Sequence, residues 1–411
     1  MVLNYIWVGF FLVAFAVALI KLILFQDYEV FPLLLNSTFN NAKTGFEIAL
    51  YLTGVMSLWL GIMKIGERGG IVPILSKVIG PFFQRLFPQV PKDHPANGSI
   101  IMNFSANMLG LDNAATPLGL KAMKELQEIN PDKEIASDAM ITFMVLNASG
   151  LTIIPLAIIA DRSVLGSVNP TSIFIPTLIA TFCSTLAGFV YISIKQKLRW
   201  DSVMLSYTVG LTAFIGLSVV YFSSLGPEAL KQQSSLISSV IILSIIVGFL
   251  LLGLRKKLAL FETFVEGAKE GFETSIKIIP FLIAMLVGIG LFRESGALNF
   301  IIEGFAWGFT QLRINTDFVE ALPVAFLKPL SGSAARSMMI SISETTAGGP
   351  DSFVANLAAV FRGCAETTFY VLAVYFGSVN IRKTRYALTG GLIADVAGVI
   401  AAILVAYLFF H

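Results

Sequence analysis

The chain has 411 residues, 56% of them hydrophobic and 13% charged, with a mean hydropathy of +0.80. Soluble domains carry about 25% charge, so a water-soluble globular fold is excluded and an integral membrane protein is expected. The formal net charge of +2, with no basic run interleaved with aromatics, argues against a nucleic-acid partner.

In chain order, Tyr5–Phe25 is long enough to span, has no basic leader and lacks a small-x-small cleavage site, so it is expected to be a retained helix rather than a signal peptide. Further apolar runs of spanning length lie near 44–66, 136–160, 171–195, 203–224, 235–254, 266–292, 352–378 and 386–410. Two more, 97–126 and 321–345, are interrupted by short polar stretches: Gly110–Pro117 (Gly-Leu-Asp-Asn-Ala-Ala-Thr-Pro) and Lys328–Arg336 (Lys-Pro-Leu-Ser-Gly-Ser-Ala-Ala-Arg). Ile71–Leu86 and Ala297–Leu312 are amphipathic and too short to span, which suits an interfacial or re-entrant segment.

An internal repeat is visible. Ala-Lys-Thr-Gly-Phe-Glu from Ala42 matches Ala-Lys-Glu-Gly-Phe-Glu from Ala268, with Lys43 and Lys269 226 positions apart. Ala114-Ala115 pairs with Ala334-Ala335, and Leu156-Ala157 with Leu372-Ala373. Basic loops at Lys195–Arg199, Arg255–Lys257 and Arg382–Arg385 set the expected cytoplasmic side. One extra helix, about 203–224, would turn the second half upside down. The expected fold is therefore an all-α polytopic membrane protein of two inverted-topology repeats with broken or re-entrant helices and about 9–11 transmembrane segments. Residues 1–200 and 201–411 are the two expected units.

Backbone that unwinds at membrane depth survives only inside protein or beside a wet cavity, so the two breaks are candidate substrate sites. In the second half, Lys328, Ser331, Ser333, Arg336, Arg362, Glu366, Thr367 and Thr368 are the candidates. A charge at mid-bilayer costs about 2.5–3.5 kcal/mol, so these charges should pair or face water. Arg336 and Glu366 either neutralise each other between packed helices or contact substrate or coupling ion. In the first half, Asn103, Asn107, Asp112, Asn113 and Thr116 form the matching set, and Asn147, Ser149 and Thr152 form a second polar break aligned with Gly363–Thr368. Carboxamides and hydroxyls beside a carboxylate suit H⁺, Na⁺ or an uncharged polar solute better than a transition metal; simple interhelical hydrogen bonding is the alternative. Glu47 and Glu273 lie near the expected helix starts, where a carboxylate complements the helix dipole, and Asp395 is undecided. Cys183 and Cys364 lack Cys-x-x-Cys spacing, and His94 and His411 cannot complete a catalytic set. With no phosphate-cradling Gly-x-x-x-x-Gly-Lys-Ser/Thr either, no enzyme activity, metal or cofactor is expected.

Gly110–Met123, Gly-Leu-Asp-Asn-Ala-Ala-Thr-Pro-Leu-Gly-Leu-Lys-Ala-Met, resembles the signature of the spore maturation protein A family. Phe264–Gly271, Pro329–Ala334 and Glu366–Val379 resemble spore maturation protein B. The resemblance covers nearly the whole chain, as if the pair were fused. It implies a nucleoside recognition, or gate, domain similar to part of concentrative nucleoside transporters and of the ferrous-iron transporter's membrane region. It also implies a transport-like fold, and in spore formers an association with dehydration of the spore core. The fold does not dictate a nucleoside substrate. The expected function is a secondary transporter or exporter of a small polar or ionic solute in the inner (cytoplasmic) membrane, with the lipid bilayer and a homo-oligomer as its surroundings. The alternative is a non-transporting membrane scaffold or ligand receptor.

Overall fold

The computed structural model describes residues 2–108, 112–313 and 315–411. Among them the chain forms α-helices and no strand, apart from one isolated bridge between Ile135 and Lys383. The first half comprises α1 (Val2–Phe25), α2 (Val30–Gly69), α3 (Ile71–Leu86), α4 (Pro95–Met108), α5 (Asp112–Glu128), α6 (Asp138–Ser149), α7 (Leu156–Val164) and α8 (Phe174–Gln196). After α9 (Ser202–Ser223), the second half comprises α10 (Pro227–Arg255), α11 (Leu260–Glu294), α12 (Ala297–Gln311), α13 (Leu322–Leu327), α14 (Gly332–Thr345), α15 (Phe353–Gly363), α16 (Thr368–Gly377) and α17 (Ala387–Phe410).

The helix boundaries repeat with the sequence. Gly70 (φ +93°) and Gly296 (φ +88°) adopt the left-handed conformation that ends a helix readily only at glycine, and each turns a long helix into a short amphipathic one. The axis bends by 67° between α11 and α12. Ser137 caps α6 by accepting from Met140 N–H, and Ser352 caps α15 by accepting from Ala355 N–H, so two orphan amides are satisfied identically. The eight helices α1–α8 thus correspond in order to α10–α17, with α9 the unmatched element.

The packing fixes how the halves are related. α2 and α11 run antiparallel: Gly45 lies against Ile283, Gly61 against Phe264, and Gly271 against Met56 and Ser57. At the crossing, Ala49 and its counterpart Ser275 are both fully buried. α8 and α17 also run antiparallel, with Gly188 against Ala394, Gly390 against Tyr191 and Gly398 against Ser184. Corresponding helices that meet antiparallel at their midpoints are related by a two-fold axis passing between them, which for membrane-spanning helices lies in the membrane plane. The expected inversion is therefore the observed arrangement.

Seven described helices are long and apolar enough to cross a membrane. The 35-residue α11 and the interrupted pair α6–α7 bring the crossings to nine, the lower edge of the expected range, because α4–α5 and α13–α14 enter and leave on one side. Gln196 Nε2 donates to Asp138 O (2.9 Å) and Arg385 Nη1 pairs with Asp138 Oδ1 (2.8 Å), which puts the loops at 195–199 and 382–385 at one end. α9 starts there and reaches the other end, where Phe222 packs on Phe409, and α10 brings Arg255–Lys257 back. All three basic loops share one face, as the positive-inside pattern requires. The loop near Asn130 lies with them, Ala136 N–H donating to Lys383 O (3.0 Å). The loop after Gly348 lies at the opposite face, where Arg162 Nη1 donates to Pro350 O (2.8 Å).

Close approach of α2 and α11 depends on glycine. A Cβ on Gly271 would stand 2.6 Å from Met56 O and 2.7 Å from Ser57 Cα, both backbone atoms that cannot yield. Gly271→Leu is expected to force the helices apart and destabilise the fold by about 1–3 kcal/mol. Thermal unfolding in detergent reads this, and an unchanged midpoint would contradict the packing described.

Candidate substrate site

Two interruptions at mid-membrane create the site. α6 ends at Ser149 and Gly150 takes φ +62°; in the second half α15 ends at Gly363 and helix resumes at Thr368. The two interruptions cross, with Glu366 N–H donating to Ala148 O (2.8 Å). Each also reaches the break of its own re-entrant hairpin: Ile153 N–H donates to Met108 O (2.8 Å) and, equivalently, Phe369 N–H donates to Pro329 O (3.0 Å). Unwound backbone and the adjoining helix ends therefore partner one another, as hydrocarbon demands.

A cavity of about 220 Å³ opens where they cross. Its polar lining is Asn107, Thr152, Lys328, Arg362, Glu366 and Thr367, and its apolar lining runs along Ile154–Ile158. Lys328 Nζ lies 3.8 Å from Glu366 Oε2, too far for a hydrogen bond, so both heads keep capacity for a third group. Behind them Asp161, fully buried, pairs with two guanidiniums: Arg362 Nη1 lies 2.8 Å from Oδ2, and Arg336 donates from Nε (3.1 Å) and from Nη2 to Oδ1. Arg336 thus pairs with Asp161 and not with Glu366, whose cation partner is Lys328. The adjacent Arg162, also buried, turns the other way to Asp351 Oδ1 (3.0 Å).

The face of the crossing towards the basic loops carries neutral groups. Asn107 Nδ2 donates to Asn147 Oδ1 (2.8 Å) and to Asn103 Oδ1 (3.3 Å), Asn103 Nδ2 donates to Ala115 O (2.8 Å), and Tyr375 OH donates to Asn147 Oδ1 (3.3 Å). Asn103 and Asn107 share a helix face as their spacing predicts. Under the internal two-fold, Asn107 corresponds to Lys328, Asn147 to Arg362 and Thr116 to Arg336. One half therefore meets the crossing with amides, the other with cations.

Not every sequence candidate joins the cavity. Ser149 Oγ donates to Leu146 O and lies 3.0 Å from Thr185 Oγ1, fixing α6 to α8. Ser331 caps α14, its Oγ accepting from Ala334 N–H (3.2 Å) and lying 3.1 Å from Ser333 Oγ. Thr368 Oγ1 donates to Asp395 Oδ2 (2.7 Å), which gives the undecided Asp395 a helix-pairing partner. Thr116 is half-buried on α5. The side chains of Asp112 and Asn113, and the Gly110 break itself, lie outside the described residues. Sequence reasoning missed Asp161 because the expected span stopped at 160, and Tyr375 because an aromatic in an apolar run carries no signal.

Asp161 is the shared anion of the buried Arg336 and the half-buried Arg362, so Asp161→Asn strands both. The expected loss is about 3–5 kcal/mol, read as a fall in unfolding midpoint and membrane yield. Adding Arg336→Gln to it should recover part of the loss; a single variant as stable as the parent would show that the cluster is solvated.

Residues 49–162 match the family model described as Gate: Nucleoside recognition. The chain is 40% identical over 187 residues to spore maturation protein A of Bacillus subtilis (strain 168), covering 46% of this chain and 92% of that protein. It is 46% identical over 166 residues to spore maturation protein B of the same organism, covering 40% of this chain and 90% of that protein. With nearly the full length of both relatives matched in one polypeptide of inverted halves, the chain belongs to the family of spore maturation proteins A and B.

Proposed function

We propose that the chain is a secondary transporter or exporter that moves a small polar or ionic solute across the cytoplasmic membrane by alternating access. The observation that carries this reading is the charged cavity at the crossing of two broken helices contributed by inverted halves. That arrangement allows one site to be presented to either side by rocking one unit against the other. Lys328 and Arg362 would hold an anionic or polar group, Glu366 would take the coupling H⁺ or Na⁺, and Asn107, Thr152 and Thr367 would orient the solute. The first unit, 1–200, corresponds in this reading to the A-type relative and the second, 201–411, to the B-type relative.

The buried Asp161 cluster favours a second reading, a ligand receptor or scaffold. Three charges locked together beside the cavity resist the rearrangement that transport needs.

Metabolite profiles of cells making the parent protein, Lys328→Ala or Glu366→Gln decide between these. Transport should alter the level of at least one polar solute in the parent alone, and that solute should exchange across proteoliposomes at a rate at least about tenfold above either variant, the scale of one lost charged contact. Equal flux in all three proteins would remove the cavity from the mechanism. Saturable binding without flux would establish the receptor reading.

A further inference from the structure

Two buried acids are held differently. Asp161 faces Arg336 and Arg362, whereas Asp395 on α17, 4% exposed, meets a threonine: Thr368 Oγ1 donates to its Oδ2 (2.7 Å). Asp395 Oδ1 is buried without a hydrogen-bond partner, and no lysine or arginine pairs with this carboxyl among the described residues. From α6 and α8, Ala148, Ser184 and Gly188 pack on the same stretch of α17, and none of them brings charge. Ser184 Oγ is likewise buried and unpartnered.

The internal repeat supplies a control. Aligned on their last residues, Gln196 and Phe410, α8 and α17 begin within one residue of each other, and Asp395 then corresponds to Thr181. Thr181 Oγ1 donates to Leu178 O (3.1 Å), within its own helix. The second half therefore carries an acid where the first has a hydroxyl that its own backbone satisfies. The same alignment pairs Ser184 with Gly398, and these two residues pack against each other, so the two-fold axis passes there. At a rise of 1.5 Å per residue, Asp395 lies about 5 Å from that axis, at mid-membrane.

A carboxylate removed from water needs a cation or several donors, and a lone hydroxyl is neither. A carboxyl that keeps its proton is uncharged: it accepts from Thr368 at Oδ2 and carries its hydrogen on Oδ1. We propose that Asp395 is a proton-binding site, neutral while the crossing of the broken helices is closed and ionised when water reaches it. Thr368 ties it to the cavity, because it opens α16 directly after Thr367, which lines the cavity. Movement of the 364–367 interruption therefore acts on the hydrogen-bond partner of Asp395. The titratable groups that face Asp395 from that side are Cys364, Lys328 and Glu366. Once ionised, Asp395 competes with Glu366 for Lys328. An anion held at Lys328 thus favours the proton on Asp395, and by reciprocity the proton favours the anion. This last step rests on the proposed transport: it selects H⁺ over Na⁺ as the coupling ion and adds Asp395 to Glu366 as a carrier that works together with an anionic solute.

Infrared difference spectroscopy of the full chain in lipid at neutral pH tests the proton directly. The parent should show the carbonyl stretch of a neutral carboxylic acid that is lost in Asp395→Asn, whose amide oxygen still accepts from Thr368. Thr368→Val should keep that band and shift it to higher frequency, since the carbonyl loses its donor; if Asp395→Asn does not fold, this shift decides alone. Equal bands in the parent and Asp395→Asn, an unshifted band in Thr368→Val, or bleaching of the parent band by sodium chloride but not potassium chloride would each overturn the proposal. In proteoliposomes, solute accumulation driven by an imposed proton gradient should be lost in Asp395→Asn, and equal accumulation would overturn the coupling step. A parent that moves no solute would refute the transport reading and leave the proton site to stand or fall by its infrared band.

Discussion

The structure depends on one constraint: backbone that leaves the helix inside a membrane must find its hydrogen-bond partners in protein. The interruptions after Ser149 and after Gly363 are satisfied partly within their own halves, by Ile153 N–H on Met108 O and Phe369 N–H on Pro329 O, and partly by each other. The amide of Glu366, in the second half, is satisfied by the carbonyl of Ala148 in the first. Gly150 permits that approach twice over, by its φ of +62° and because a Cβ there would lie 2.7 Å from the Glu366 nitrogen. The halves are therefore held in one register by the Glu366–Ala148 backbone contact at the centre and by the antiparallel pairs α2–α11 and α8–α17 on either side.

That symmetric frame carries asymmetric chemistry. Towards the basic loops, Asn103, Asn107, Asn147 and Tyr375 close the crossing with neutral hydrogen bonds, which are worth about 0.6 kcal/mol each between membrane helices. Towards the opposite face, Arg336, Arg362 and Asp161 form a buried ionic cluster whose disruption is several-fold more expensive. Two barriers of unequal strength flank one cavity. Under the proposed transport, a solute or coupling ion that neutralised Lys328 or Glu366 would act next to the stiffer barrier, where a change in charge has the larger leverage.

Much of this was legible in the sequence because the repeat was. The matching of Lys43 with Lys269 and of Ala114-Ala115 with Ala334-Ala335 located both halves, and small polar breaks in apolar runs located the re-entrant hairpins. The interruptions at 150–155 and 364–367 were harder, since hydropathy averages over them and reads 136–160 and 352–378 as single spans. Contacts between halves were illegible. Nothing local shows that Arg336 would meet Asp161, 175 residues earlier in the chain, or that Tyr375 would meet Asn147. Helix length was also misjudged, because charged turns such as Asn41–Glu47 look like helix starts until their counterpart helix is seen packed along them.

The proposed transport requires the crossing of the two broken helices to be reachable from both sides of the membrane in turn. Thr367 lines the cavity and can be replaced by cysteine in a chain lacking Cys183 and Cys364, then challenged with a membrane-impermeant thiol reagent in vesicles of each orientation. Labelling is expected from either face, with the two rates shifting in opposite directions when a proton or sodium gradient is imposed. Labelling confined to one face under every gradient would contradict it.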